Sequence, residues 1–373
     1  MNDRPFGRLF LPGPTDVHPD IRAATGGPIM SHLGPAMAEL LERIEVPLRE
    51  LFPTVRPVMI GTCSATGFME AAVRNGVRRR MLAVVGGYFG ERFAQVAEAC
   101  GKQVVRAMVP PGAALSPAQL ERFLDGPPID AVSICHSETA TGALADLEGL
   151  AQVVRQREDV LMLVDGVTSL GAMEVDVEGW GIDFIFTGSQ KALALPPGLA
   201  LGVASARMLE RAASIKRRGW YLDLLKFDEA VRAHKPTQTP ATPLILALAA
   251  QLDRIAASGG RAARWDRHAT MATMMAQWAD GHPRYPLLAQ PGSRSPAVSV
   301  LKMPEGVPAA KLVQAVAQRG YFIAAGLPPH EQTLVRIGHM GDLMPEHMEG
   351  LLAALSEAAA ECDAAHSLRR IAP

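Results

Sequence analysis

Between residues 56 and 205 the chain alternates short apolar runs with amphipathic stretches. The runs are Pro57–Ile60, Met81–Val85, Val104–Val109, Ala131–Ile134, Leu161–Val164, Phe184–Phe186 and Leu199–Ala204. Nearly continuous apolar runs of this length predict strands buried on both faces of a mainly parallel sheet. Glu91–Cys100 and Leu147–Arg155 between them read as helices, and Ser116-Pro117-Ala118-Gln119 as a helix start with a capping box. Strand and helix in alternation predict an α/β, doubly wound core. Beyond residue 205 the pattern lengthens into helices, including Leu244–Ala257. From about 296 it mixes strands (Ala297–Leu301, Gly320–Ala325, Leu334–Gly338) with helices (Ala309–Arg319, Pro345–Cys362), as in a smaller α+β domain.

Ligands of such a sheet lie beyond the carboxyl ends of its strands, so the segments following each run carry the candidate chemistry. They are small, polar and rich in hydroxyls: Ser64-Ala65-Thr66, Gly86-Gly87-Tyr88-Phe89, His136-Ser137-Glu138-Thr139, Asp165-Gly166-Val167 and Thr187-Gly188-Ser189-Gln190-Lys191. Asp165 ends one run, and Lys191 follows the next after one crossover. A lysine that forms a Schiff base with an aldehyde and a carboxylate that keeps a pyridine nitrogen protonated is one reading; a salt bridge at a sheet edge is the other. Ser64-Ala65-Thr66 opens a helix and offers free N–H groups to a phosphate, or serves as a plain N-cap. Phe89 can back a planar ring or fill the core. Arg336, inside the apolar strand Leu334–Gly338, needs an anion: a substrate carboxylate or an internal partner.

Composition narrows the picture. Apolar residues make up 48% and charged residues 20%, and 37 basic side chains meet 38 acidic ones, which leaves no global field for nucleic acid or an acidic membrane. No secretory signal or membrane-length apolar stretch is read, and Cys63, Cys100, Cys135 and Cys362 form no C-x-x-C pair, so a reducing cytoplasm is expected. No metal site is expected, because the ten histidines show no ligand spacing. No Walker loop, glycine fingerprint or G-x-S-x-G elbow is present.

Three segments, His136–Gly142, Asp165–Gly171 and Gly188–Leu193, together with Phe10–Thr15 and Arg336-Ile337-Gly338, resemble the class V aminotransferases of fold type I. That group includes serine– and alanine–glyoxylate and aminoethylphosphonate–pyruvate aminotransferases. The resemblance implies pyridoxal 5′-phosphate (PLP) as cofactor, with Lys191 as its Schiff-base lysine and proton shuttle. It implies Asp165 at the pyridine nitrogen, Val167 and Phe89 on the two ring faces, and Thr139 near the phenolic oxygen. Ser64, Ala65, Thr66 and Gln190 would surround the phosphate, and Thr239 and Thr242 would reach the phosphate of a neighbouring subunit, which requires a homodimer. Arg336 would clamp the substrate carboxylate, with Gly13 and Pro14 on the substrate's small side. Ala65 stands where relatives often have glycine or histidine.

The expected layout is an N-terminal arm (1–17), a large PLP-binding domain (18–259) and a small C-terminal domain (260–373). The expected reaction moves an amino group from serine or alanine to glyoxylate or pyruvate; alternatives are 2-aminoethylphosphonate as donor and a PLP lyase on the same fold. Desulfuration fits poorly, since Gln190 precedes the lysine and no cysteine lies between Cys135 and Cys362. A nicotinamide-dependent oxidoreductase would need a glycine fingerprint opening the first helix and an acid about 20 residues on, which the chain does not show, and a non-catalytic scaffold gives no reason for Asp165, Lys191 and Arg336 to fall in this register.

Overall fold

The computed structural model of the chain describes residues 7–371, with side chains described as far as 364; residues 1–6 of the expected arm and 372–373 lie outside the described residues. All seven apolar runs become strands of one sheet: β1 (Val58–Gly61), β2 (Arg80–Val85), β3 (Gln103–Met108), β4 (Ala131–Cys135), β5 (Leu161–Asp165), β6 (Phe184–Gly188) and β7 (Ala200–Ala204). Their order is β1-β7-β6-β5-β4-β2-β3. Every residue of β5, β6 and β7 is buried, as the uninterrupted apolar runs require.

The sheet is parallel except at β7, which runs antiparallel to both β1 and β6. The reason is local. Only residues 189–199 separate β6 from β7, and a parallel return needs a dozen or more residues, usually with a helix. The chain spends this short connection on the loop that carries Lys191 and folds straight back.

Alternate residues of each strand feed two apolar layers. Leu82, Val84, Met162 and Val164 belong to one core that also takes in residues of α1 (Pro35–Leu51) and α4 (Thr242–Ala257). Met81, Ala83, Leu161 and Phe184 pack with α2 (Ala65–Gly76) and α3 (Tyr88–Ala99). A third core joins α5 (Gly260–Gly281), α6 (Pro345–Ile371) and an antiparallel sheet of β8 (Val298–Lys302), β9 (Ala324–Ala325) and β10 (Leu334–Gly338), in the order β8-β10-β9. Phe10, fully buried, belongs to this core, and Arg8–Leu9 pairs in parallel with Tyr321–Phe322. The start of the described chain is thus sewn to its last third.

The capping box at Ser116 forms as expected, with Ser116 accepting from the Gln119 N–H and the Gln119 side chain accepting from the Ser116 N–H. The expected strand Gly320–Ala325 is instead two short pieces split at the buried Ile323, because Tyr321–Phe322 pairs with the N-terminal segment and Ala324–Ala325 with β10. Among the described residues no helix is long and apolar enough to cross a membrane.

Candidate active site

The carboxyl ends of the parallel strands open onto a cavity of about 290 Å³. Asp165 closes β5 and lies on the cavity wall, 3% exposed. Its Oδ1 accepts a 2.9 Å hydrogen bond from the Val167 N–H. Burial pushes its carboxyl up to about 6, against the pull of that N–H, of Lys191 and of Arg92. Lys191 follows β6 and is 8% exposed. Burial lowers its amine to about 8; Asp165 opposes the shift and Arg336 adds to it. The Lys191 Nζ donates to the Pro12 carbonyl. The loop beneath the lysine is held by the Ser189 hydroxyl, which donates to Pro196 O at 2.8 Å, and by the Thr15 hydroxyl, which donates to Lys191 O at 3.2 Å.

Around this pair the cavity collects Ser64, Ala65, Thr66, Phe89, Thr139, Val167 and Gln190. Ser64 is the N-cap residue of α2, yet its side chain makes no capping bond, so hydroxyl and helix terminus are both open to an anion. The Thr139 and Thr168 hydroxyls lie 2.8 Å apart. Thr187, on β6, donates to the Val167 carbonyl at 3.2 Å and fixes the turn that presents the valine.

Gly13 lines the same cavity at φ +101°, and a Cβ there would stand 2.6 Å from Lys191 Cδ. Only glycine lets the N-terminal segment cross the lysine so closely. Arg336 sits outside the cavity lining, on β10, where its Nε donates to Ala325 O at 2.8 Å. Its two Nη groups have no hydrogen bond among the described residues, and burial lowers its pKa. Pro14 is exposed and does not line the cavity. Thr239 is exposed and Thr242 is buried at the start of α4, and neither touches the cavity of its own chain.

Two residues at the site, Arg92 and Glu138, are not singled out as candidates by the sequence. Arg92 lines the cavity with its guanidinium 4.9 Å from the ring centroids of both Tyr88 and Phe89. The signal was available: three positions after Phe89 on one helix, the two share a face. Glu138, 4% exposed, accepts from the Phe89 and Gly90 N–H groups, both at 3.0 Å, and from the Ala140 N–H at 3.0 Å. Burial raises its carboxyl to about 7 in spite of these three donors.

An apolar hollow also lies between α1 and residues 227–240, where Glu45 and His234 pair at 2.8 Å, but it holds only about 40 Å³. Among the described residues no three His, Cys, Asp or Glu side chains gather as a metal-ligand set.

Comparison with known proteins agrees with this geometry. The family described as Aminotransferase class-V matches residues 90–338, well over half of the chain. A soluble hydrogenase small subunit from Synechococcus sp. (strain PCC 6716) is 33% identical, over 95% of this chain and 93% of its own length. The crystal structure of an aspartate aminotransferase of subgroup IV from Thermus thermophilus is 34% identical, with a TM-score of 0.87, over 95% of this chain and 99% of that one. An alanine–glyoxylate aminotransferase from Nostoc sp. is 28% identical, with a TM-score of 0.88, over 95% of each chain. A family model matching well over half of the chain, and relatives more than 30% identical along nearly its whole length, show that this chain belongs to the class V aminotransferases, which are PLP-dependent enzymes.

Proposed function

We propose that the chain transfers the amino group of a small amino acid, serine or alanine, to glyoxylate or pyruvate, with Lys191 as the catalytic residue. The observation that carries the reading is that Lys191 and Asp165, both buried, line one cavity at the carboxyl ends of neighbouring strands, where burial lowers the amine to about 8 and raises the carboxyl to about 6.

The residues fit PLP. The cavity of about 290 Å³ offers a helix terminus with an unspent hydroxyl at Ser64, with Ala65, Thr66 and Gln190 beside it for a phosphate. Phe89 and Val167 would take the two faces of the ring, Thr139 its phenolic edge and Asp165 its nitrogen. Bound there, PLP supplies an aldehyde and an electron sink for the substrate's Cα electrons.

The rest belongs to the chain. At neutral pH a lysine with a pKa near 8 keeps an appreciable neutral fraction, so Nζ can act as a nucleophile and later carry the proton at the substrate's Cα. Arg336 has its Nε committed to Ala325 O, which leaves the Nη fork for a carboxylate. Fixing that carboxylate orients the Cα–H bond. Gly13 and Pro14 would border the small side chain. Thr239 and Thr242, away from their own cavity, would serve the phosphate of a second copy in a homodimer.

Glyoxylate as acceptor is supported by the alanine–glyoxylate relative; the Thermus relative is described as acting on aspartate. The test is a donor series (L-serine, L-alanine, L-aspartate, 2-aminoethylphosphonate) added to protein loaded with PLP, with glyoxylate or pyruvate as acceptor. Loss of the visible absorption band together with one amino acid formed per 2-oxo acid consumed, fastest with serine or alanine, supports the reading. Fastest turnover of aspartate replaces the donor. Loss of donor without amino acid formed replaces the reaction with a lyase.

A further inference from the structure

We infer that Glu138 is a positioning residue for the reaction, a clamp that holds Phe89 and Thr139 in place on two walls of the cavity. The inference rests on the reading of Phe89 as the wall behind the cofactor ring.

The two walls come from chain segments 49 residues apart, and Glu138 touches both. Its Oε2 accepts from the Phe89 and Gly90 N–H groups, which are among the unpaired donors of the first turn of α3. Its Oε1 accepts from the Ala140 N–H. Its own carbonyl accepts from the Thr141 N–H at 3.1 Å and the Gly142 N–H at 2.8 Å. The side chain thus anchors the first turn of α3, which carries Phe89, while the main chain closes the turn that presents Thr139.

The fit is close. A Cβ on Gly87 would stand 2.6 Å from Glu138 Cγ, and a Cβ on Gly90 would stand 2.5 Å from Val84 O. Both glycines let α3 press onto β2 and onto the carboxylate. No lysine or arginine pairs directly with Glu138 among the described residues, so amide donors alone satisfy it. A carboxylate at a helix N-terminus is favoured by the dipole and by those donors. A helix that needed only a cap could take a serine or an asparagine at the surface. A carboxylate buried at 4% exposure and tied to the opposite wall fixes the distance between the walls as well.

The test is a double-mutant cycle on PLP affinity, read by titrating the visible band, with F89A, E138A, E138Q and F89A/E138A. Deuterium uptake of cofactor-free protein over residues 86–94 and 139–142 is measured in parallel. E138A is expected to weaken PLP binding about ten-fold or more and to raise uptake in both segments, while β5 and β6 stay protected. Because Glu138 acts through Phe89, the double variant should bind little worse than the weaker single one. E138Q keeps one acceptor for the Phe89 and Gly90 donors and should recover most of the loss. Additive effects of F89A and E138A, or unchanged uptake over 86–94, overturn the clamp. An F89A variant with unchanged PLP affinity overturns instead the placement of Phe89 behind the ring, and the uptake data then still decide whether Glu138 holds the two segments.

Discussion

Two buried aspartates flank neighbouring strands, one at the amino and one at the carboxyl edge of the sheet, and they are treated differently. Asp183, 1% exposed, precedes β6 at the amino edge. It accepts from the Met162 N–H at 2.9 Å, from the Ser205 hydroxyl at 2.8 Å and from Arg207 Nη1 at 3.4 Å. Asp165, 3% exposed, ends β5 at the carboxyl edge, and among the described residues the one hydrogen bond its side chain accepts comes from the Val167 N–H. Burial raises both carboxyls. At Asp183 the fold supplies the partners that make burial tolerable; at Asp165 it withholds them and leaves the charge facing a cavity and Lys191. A sheet edge that stabilises satisfies its polar groups, and an edge that does chemistry leaves room for a ligand to satisfy them.

The largest test removes the amine that Asp165 faces. Lys191→Ala should lower kcat about 10⁴-fold or more and abolish the visible band given by added PLP, since nucleophile and proton carrier are lost together. Its thermal stability without PLP should hold or rise, because a costly buried amine is gone. Turnover within ten-fold of wild type would remove Lys191 from the mechanism.

Asp165→Asn should lower kcat/KM about 10²–10³-fold at little cost in stability. Asp183→Asn should do the reverse: a loss of about 2–3 kcal/mol in denaturant unfolding, with kcat/KM near wild type. If both variants lose stability alike and activity alike, the contrast between the two edges is wrong.

How legible this contrast is in the sequence follows from the same physics. All seven strands can be read because strands covered on both faces must be apolar throughout, and the tip of each run marks the carboxyl edge. Lys191, Asp165 and Ser64 fall at such tips. What cannot be read comes from elements whose pattern is set by several neighbours. Helix α5 opens on two glycines at positive φ, Gly259 and Gly260, and its long run through Arg264, His268 and Trp278 shows no clean apolar stripe. Helix α1 carries Pro47 inside it, which reads as a break. The antiparallel turn-back of β7 depends on the length of the preceding loop and not on its composition. Glu138 was visible within a motif, but its bonds to Phe89 and Gly90 join segments that only the folded sheet brings together.

Acidity sharpens the comparison further. In the PLP-free protein the Asp165 carboxyl is raised from 3.8 to about 6, so between those values the folded state binds more protons than the unfolded one. This stability is fully present below pH 3.8 and is lost as pH rises through about 6, up to roughly 3 kcal/mol. Subtracting the Asp165→Asn stability curve from that of wild type should isolate this fall. At the alkaline end Lys191 has the opposite sign. Its amine is lowered from 10.5 to about 8, the unfolded chain holds the extra proton, and stability recovers as pH rises across that window. A flat difference curve between pH 4 and 6 would mean that Asp165 is not the under-satisfied group.

The smallest effect separates backbone strain from contact with the site. Gly13 and Gly101 both have positive φ, +101° and +74°, but a Cβ at Gly13 meets Lys191 Cδ at 2.6 Å, while one at Gly101 has nothing within 4 Å. Alanine at either position should cost about 1–2 kcal/mol of stability through φ alone. Only Gly13→Ala should also reach the chemistry. The far end of a flexible lysine can shift, so the expected loss in kcat/KM is about ten-fold rather than total. Gly101→Ala, matched for backbone cost, should keep wild-type kcat/KM. Equal activity in the two variants would mean that Lys191 accommodates the methyl group freely, and the N-terminal segment would then cross the lysine without guiding it.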